Sequence, residues 1–141
     1  MKRLLALLGC AFLLTSGTAF AQQGHAHGRH HPDAQMAKLH KMMPKYAAAQ
    51  AKINAALEMG DLAAVAKETK YLLSTTADLK KSKSHKQQAD LAEFKKIAAN
   101  FEKDVKNTAD SARKGDLEGA KAYFASAQKR CDACHVKFRN P

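Results

Sequence analysis

Near the end of the chain, Cys131, Asp132, Ala133, Cys134 and His135 place two thiols and an imidazole within little more than one helical turn. On a helix the three functional side chains share a face, because they are separated by three and four residues. Two thiols at this spacing can close a disulfide, enter a metal site, exchange with other thiols, or add to the two vinyl groups of a porphyrin. The last of these also uses the imidazole beside the second cysteine, which supplies a ligand to the iron on one face. A thioredoxin-like C-x-x-C starts a helix after a strand, and no strand pattern is found here. A zinc site needs a second pair of ligands, and their spacing is absent elsewhere. A disulfide across two intervening helical residues would be strained and would leave His135 without a role. The motif therefore reads as the attachment site of one covalent haem c, with Cys131 and Cys134 holding the macrocycle and His135 as proximal ligand to the iron.

The elements that must position this motif are helical throughout. From Asp33, a reasonable N-cap, Met36, Leu39, Met43, Tyr46, Gln50, Ile53 and Leu57 recur at threes and fours. Pro44 interrupts the pattern; it either kinks this helix or marks its true first turn, which would leave Met42 and Met43 on the entering segment. Gly60 ends the first helix and Asp61 caps the second, whose apolar side carries Val65, Leu72, Leu73 and Leu79. Lys80 to Lys86 has no apolar anchor and reads as a loop. Leu91, Phe94, Ile97, Ala98, Phe101, Val105 and Ala109 mark the third helix. Gly115-Asp116-Leu117 then repeats the earlier Gly-Asp-Leu turn, and the fourth helix runs through Tyr123, Phe124 and Ala127 to the motif and ends near Phe138. Two tight turns and one longer loop predict an all-α, antiparallel up-down-up-down four-helix bundle over residues 33–141, with the haem near its C-terminus.

Composition agrees with this class. The chain has 141 residues, no tryptophan and few aromatics, so one domain with a core is expected, and the abundance of Ala, Lys, Leu and Gln favours helix. Lys2 and Arg3 precede an apolar run, Leu4 to Leu14, then small polar residues and Ala19-Phe20-Ala21, the pattern of a cleavable signal peptide over residues 1–21. The run is too short to span a bilayer. A rival cut before Cys10 would leave only Leu4 to Leu8 as the apolar stretch. Export predicts a periplasmic protein that is not integral to a membrane. Removal of residues 1–21 leaves 22 basic and 13 acidic residues, so the net charge falls from +11 to +9. That charge would draw acidic partners or anionic surfaces. Nucleic acid would also suit it, but the motif points away from such a partner.

A helical bundle with C-x-x-C-H at its extreme C-terminus, followed by Phe138-Arg139, resembles the class II cytochromes c, which include cytochrome c prime and its low-spin relatives. Gly115-Asp116-Leu117, the run Tyr123-Phe124 to Arg139, and Asp90 to Phe101 are similar to the family's last two helices. The lysine-rich loop between helices two and three is shorter than the family's usual one. The resemblance implies periplasmic electron transfer, or binding of small gases at a five-coordinate iron. It implies that Cys131 and Cys134 hold the haem, that His135 is the proximal ligand, and that Arg139 flanks the proximal imidazole. Pairing of two copies through the first two helices is also implied, and the alanine-rich stretches 47–51 and 63–66 would allow close packing.

The iron's other face decides between these functions, and in the family helix one covers it. A thioether there would give a six-coordinate, low-spin electron carrier; an aliphatic residue would leave a vacant apolar site for nitric oxide or carbon monoxide. Met43 lies on the line through Leu39, Tyr46, Ile53 and Leu57, at about the family's distance from the glycine turn, and is the first candidate for sixth ligand. Met42 is the second, and His40 a further one, while methionines at helical spacing also serve simply as core filler. His25, His27, His30 and His31, in an arm spanning residues 22–32, could bind copper, zinc or nickel, so a histidine-rich metal-handling protein is the weakest alternative. His85 falls in the lysine loop. Lys129, Arg130, Lys137 and Arg139 surround the motif, where they could pair with haem propionates or steer an acidic redox partner. No Ser/His/Asp order, carboxylate pair or phosphate-binding glycine loop suggests an enzyme. The expected function is electron transfer.

Overall fold

A computed structural model describes residues 34–82 and 90–139. The expected signal peptide, the histidine-rich arm, Asp33 and His85 lie outside the described residues. Four helices are present: α1 (Ala34–Met59), α2 (Leu62–Lys81), α3 (Leu91–Arg113) and α4 (Leu117–Phe138). α3 packs extensively on α2 and on α4, and α1 on α2, whereas α1 and α4 barely touch. The expected bundle forms, with one loose seam.

Both short turns have the same construction. Gly60 and Gly115 adopt φ of 71° and 79°, the left-handed region that an L side chain resists. At the first, the Gly60 N–H donates to the Leu57 carbonyl and the Asp61 N–H to the Ala56 carbonyl; at the second, Gly115 and Asp116 donate to Ala112 and Ser111. These paired bonds close each helix C-terminus. The aspartate then serves the next helix: Asp61 Oδ1 accepts from the Ala64 N–H at 2.9 Å, and Asp116 Oδ1 from the Gly119 N–H at 2.8 Å. A single Gly-Asp pair thus ends one helix and starts another.

The core is a continuous cluster of residues spaced by three and four on each helix. On α1 the buried line is Met42, Tyr46, Ala49, Ile53 and Ala56. Of the line expected from sequence, Tyr46, Ile53 and Leu57 are buried, whereas Leu39, Met43 and Gln50, one step to the side, are only half-buried. Pro44 lies inside α1 on an exposed position, so it does not start the helix. On α2 the threonines Thr69 and Thr76 are fully buried with Val65, Leu72 and Leu79. Their hydroxyls donate to the carbonyls of Val65 and Leu73, which removes most of the cost of burying them. α2 also extends to Lys81, into the segment expected to be loop. Lys80 and Lys81 favour the last turn of a helix, and Lys80 pairs with Glu102 on α3. Tyr123 of α4 is 41 % exposed. In the alanine-rich stretches Ala48, Ala51 and Ala63 are exposed and Ala49 is buried.

Candidate functional site

On α4 the inward line is Ala120, Phe124, Ala127, Cys131, Cys134 and Phe138, a regular alternation of fours and threes. The two cysteines therefore occupy core-facing positions, but they are only half-buried because the space before them is not filled by side chains. Both are free thiols. The space is an apolar cleft, partly open to solvent and lined by all four helices. α4 contributes Arg130, Cys131, Cys134 and His135; α1 contributes Met43, Tyr46, Ala47 and Gln50; Leu79 of α2 and Ile97, Ala98 and Phe101 of α3 complete the walls. The loose α1–α4 seam follows: α1 cannot close on α4 while the cleft lies between them.

The motif's cysteines and histidine all line this cleft. Burial pushes the Cys131 thiol up to about 11, aided by the neighbouring Cys134 and the Asp132 carboxylate and opposed by an N–H from Gln50. Gln50 Nε2 donates to Cys131 Sγ at 3.6 Å, which ties α1 to α4 across the cleft. Burial also raises the Cys134 thiol. Both sulfurs thus stand protonated in an apolar wall. His135 is exposed and lines the cleft, so its ring is at the mouth. The Tyr46 ring stacks on Phe101 with centroids 5.8 Å apart and meets Tyr71 edge-on at 6.2 Å. Its hydroxyl shares a 2.8 Å hydrogen bond with Thr75, and burial raises its pKa to about 12, so it forms a rigid, neutral wall.

The structure separates residues that sequence spacing had grouped. Met43 lines the cleft with Cys131, Cys134 and His135, whereas Met42, 6 % exposed, is in the core and does not. His40 is exposed on α1 and is not among the lining residues. Of the basic residues flanking the motif, Arg130 lines the cleft, and its Nε donates to Asp104 Oδ2 at 3.1 Å. Lys137 pairs with Glu93, and Lys129 and Arg139 are exposed. Arg139 meets the motif through its backbone, its N–H donating to the His135 carbonyl at 3.1 Å. Leu79, Ile97 and Phe101 read from sequence as core, and no pattern along one helix marks them as cleft wall. Among the described residues, no group of three or more His, Cys, Asp and Glu side chains is arranged to hold a metal ion. No described helix is long and apolar enough to cross a membrane.

A mainly apolar cleft with two thiols and an imidazole along one wall fits a haem. The donor set matches the porphyrin's two vinyl groups and its iron, and the walls match its apolar faces. No curated protein and no solved structure matches the chain. A family model described as Cytochrome C' matches residues 23–139. The chain belongs to the Cytochrome C' family, the four-helix haem cytochromes of class II.

Proposed function

We propose that the protein is an exported monohaem electron carrier, not an enzyme, with the haem bound through Cys131 and Cys134, His135 as proximal ligand and Met43 as sixth ligand. The observation that carries this reading is that Met43 of α1 and His135 of α4 line the same cleft while Met42 does not. When bound, the haem supplies a one-electron iron couple. The remaining work belongs to the chain. The half-buried thiols present sulfur to the macrocycle edge, and the Arg139 N–H holds the His135 carbonyl at the end of α4. Met43 brings a soft thioether, which favours the reduced metal and keeps small molecules from it. Tyr46, Phe101, Ile97 and Leu79 exclude water, and Arg130, fixed by Asp104, is the cation available to a propionate. Outside the cleft, Val136 is 83 % exposed between the exposed Lys129 and Arg139, a small apolar patch with positive flanks that suits an acidic redox partner. The cleavable leader assigned to residues 1–21 would deliver the protein to the periplasm.

The test is the absorption spectrum of the purified protein, oxidised and reduced, with and without carbon monoxide, together with its intact mass. A low-spin reduced spectrum unmoved by carbon monoxide, and a mass raised by one haem, are expected. A high-spin spectrum that shifts at once with carbon monoxide would overturn the carrier reading in favour of a five-coordinate gas-binding protein. A mass without haem, from cells able to attach it, would overturn both.

A further inference from the structure

α2 and α3 carry more exposed lysines than their salt bridges engage. The four acids of α3 are all engaged: Glu93 with Lys137, Glu102 with Lys80, Asp104 with Arg130 and Asp110 with Arg113. Both acids of α2 are engaged with α1, Glu68 with Lys52 and Asp78 with Lys38. The lysines left over face outward. On α3 these are Lys95, Lys96, Lys103 and Lys106, all exposed, with exposed Ala92 and Ala99 as the small residues between them. At 100° per residue the four lysines fall within about 100° of arc, and Lys95 to Lys106 spans about 16 Å. Ile97, Ala98 and Phe101, which line the cleft, lie on the opposite side of the same helix. On α2 the exposed positions Lys67, Lys70 and Lys81 continue the face, since α2 and α3 pack side by side.

We propose that the outward α2–α3 face is a docking surface for an anionic phospholipid bilayer. Its composition chooses between occupants. Stable protein interfaces are anchored by aromatic residues and arginine and are poor in lysine. This face has lysines on alanine and no apolar anchor. Such an array of mobile point charges matches a diffuse sheet of anionic headgroups, where each lysine near the surface contributes about fivefold in affinity. A redox partner would have to dock near the cleft, and this face is across the bundle from it. Held on a bilayer by α2 and α3, the protein turns its α1–α4 side to the solution. That orientation rests on the haem reading; the lipid binding does not.

The test is co-sedimentation of the full protein with vesicles of mixed phosphatidylglycerol and phosphatidylcholine against vesicles of phosphatidylcholine alone, across a salt series. Binding to the anionic vesicles only, fading as salt rises, is expected. The variant Lys95→Gln/Lys96→Gln/Lys103→Gln/Lys106→Gln should lose affinity by about several hundredfold, from fivefold per lysine. Removing as many charges elsewhere, Lys41→Gln/Lys45→Gln/Lys114→Gln/Lys121→Gln, should cost far less. These side chains are all exposed, and far-ultraviolet circular dichroism checks that both variants fold. No sedimentation at low salt, or equal losses in the two variants, would overturn the proposal. Tighter binding to a polynucleotide or an acidic protein, lost in the α3 variant, would overturn it in favour of that partner. The spectrum of the same samples reads the haem assignment separately.

Discussion

Met42 and Met43 are adjacent in sequence yet serve different parts of the molecule, so replacing each by alanine should produce separable failures. Met42 is 6 % exposed within the core cluster. Truncating a buried methionine costs about 2–5 kcal/mol, through lost transfer free energy and the cavity left behind. With a melting temperature that falls by about 4–8 °C per kcal/mol in a small domain, Met42→Ala should melt about 10 °C or more below the parent. Its reduced spectrum should be unchanged, because Met42 does not line the cleft. Met43 is half-buried at the cleft, so its packing contribution is about 1 kcal/mol. Met43→Ala should change the iron: the spectrum should turn high-spin and begin to respond to carbon monoxide. The assays are thermal melts followed by circular dichroism, and absorption spectra of the reduced protein with and without carbon monoxide. The reasoning is refuted if Met42→Ala opens the iron and Met43→Ala does not. It is equally refuted if Met42→Ala leaves the melting temperature in place, since the core assignment would then be wrong.

Single replacement of Cys131 or Cys134 by serine should leave one thioether, seen as a red-shifted reduced absorption band with the haem still covalently bound; the double replacement should release haem into acidified organic solvent. Gly115→Ala should cost about 1–2 kcal/mol in chemical denaturation, because φ of 79° is strained for any L side chain and no steric contact adds to it, and Gly115→Asn should cost less. On the acid side, the Lys80 ammonium and the Thr76 hydroxyl hold the Glu102 carboxyl below its ordinary value of 4.5. A lowered folded-state value stabilises the fold above 4.5 and is lost as pH falls through the folded value, so Glu102→Gln should flatten the decline in stability below about pH 5. The change should stay under about 1 kcal/mol, since both side chains are more than a third exposed.

Much of this was legible along the chain because the signals are local. A C-x-x-C-H motif states its own chemistry, and glycine followed by aspartate states both a helix end and the next helix's start. The regular line from Ala120 to Phe138 is a matter of spacing alone. What spacing leaves open is which of two adjacent lines on α1 turns to the core, because 3.6 residues per turn lets Met42 and Met43 both belong to an apolar stripe. Only packing resolves it: Met42 meets the core, while Met43 meets a gap between α1 and α4 that no single helix encodes. The same holds for Leu79, Ile97 and Phe101, which read as core and become walls once four helices assemble. Burial of Thr69 and Thr76 was hidden for a related reason, since their polarity is cancelled by bonds to their own helix and by Glu102 across the interface. The pairing of the α2 and α3 acids, all but Asp110 with a neighbouring helix, is likewise decided by tertiary structure. Composition fixes how much charge there is; only the assembled bundle decides where it stands unpaired.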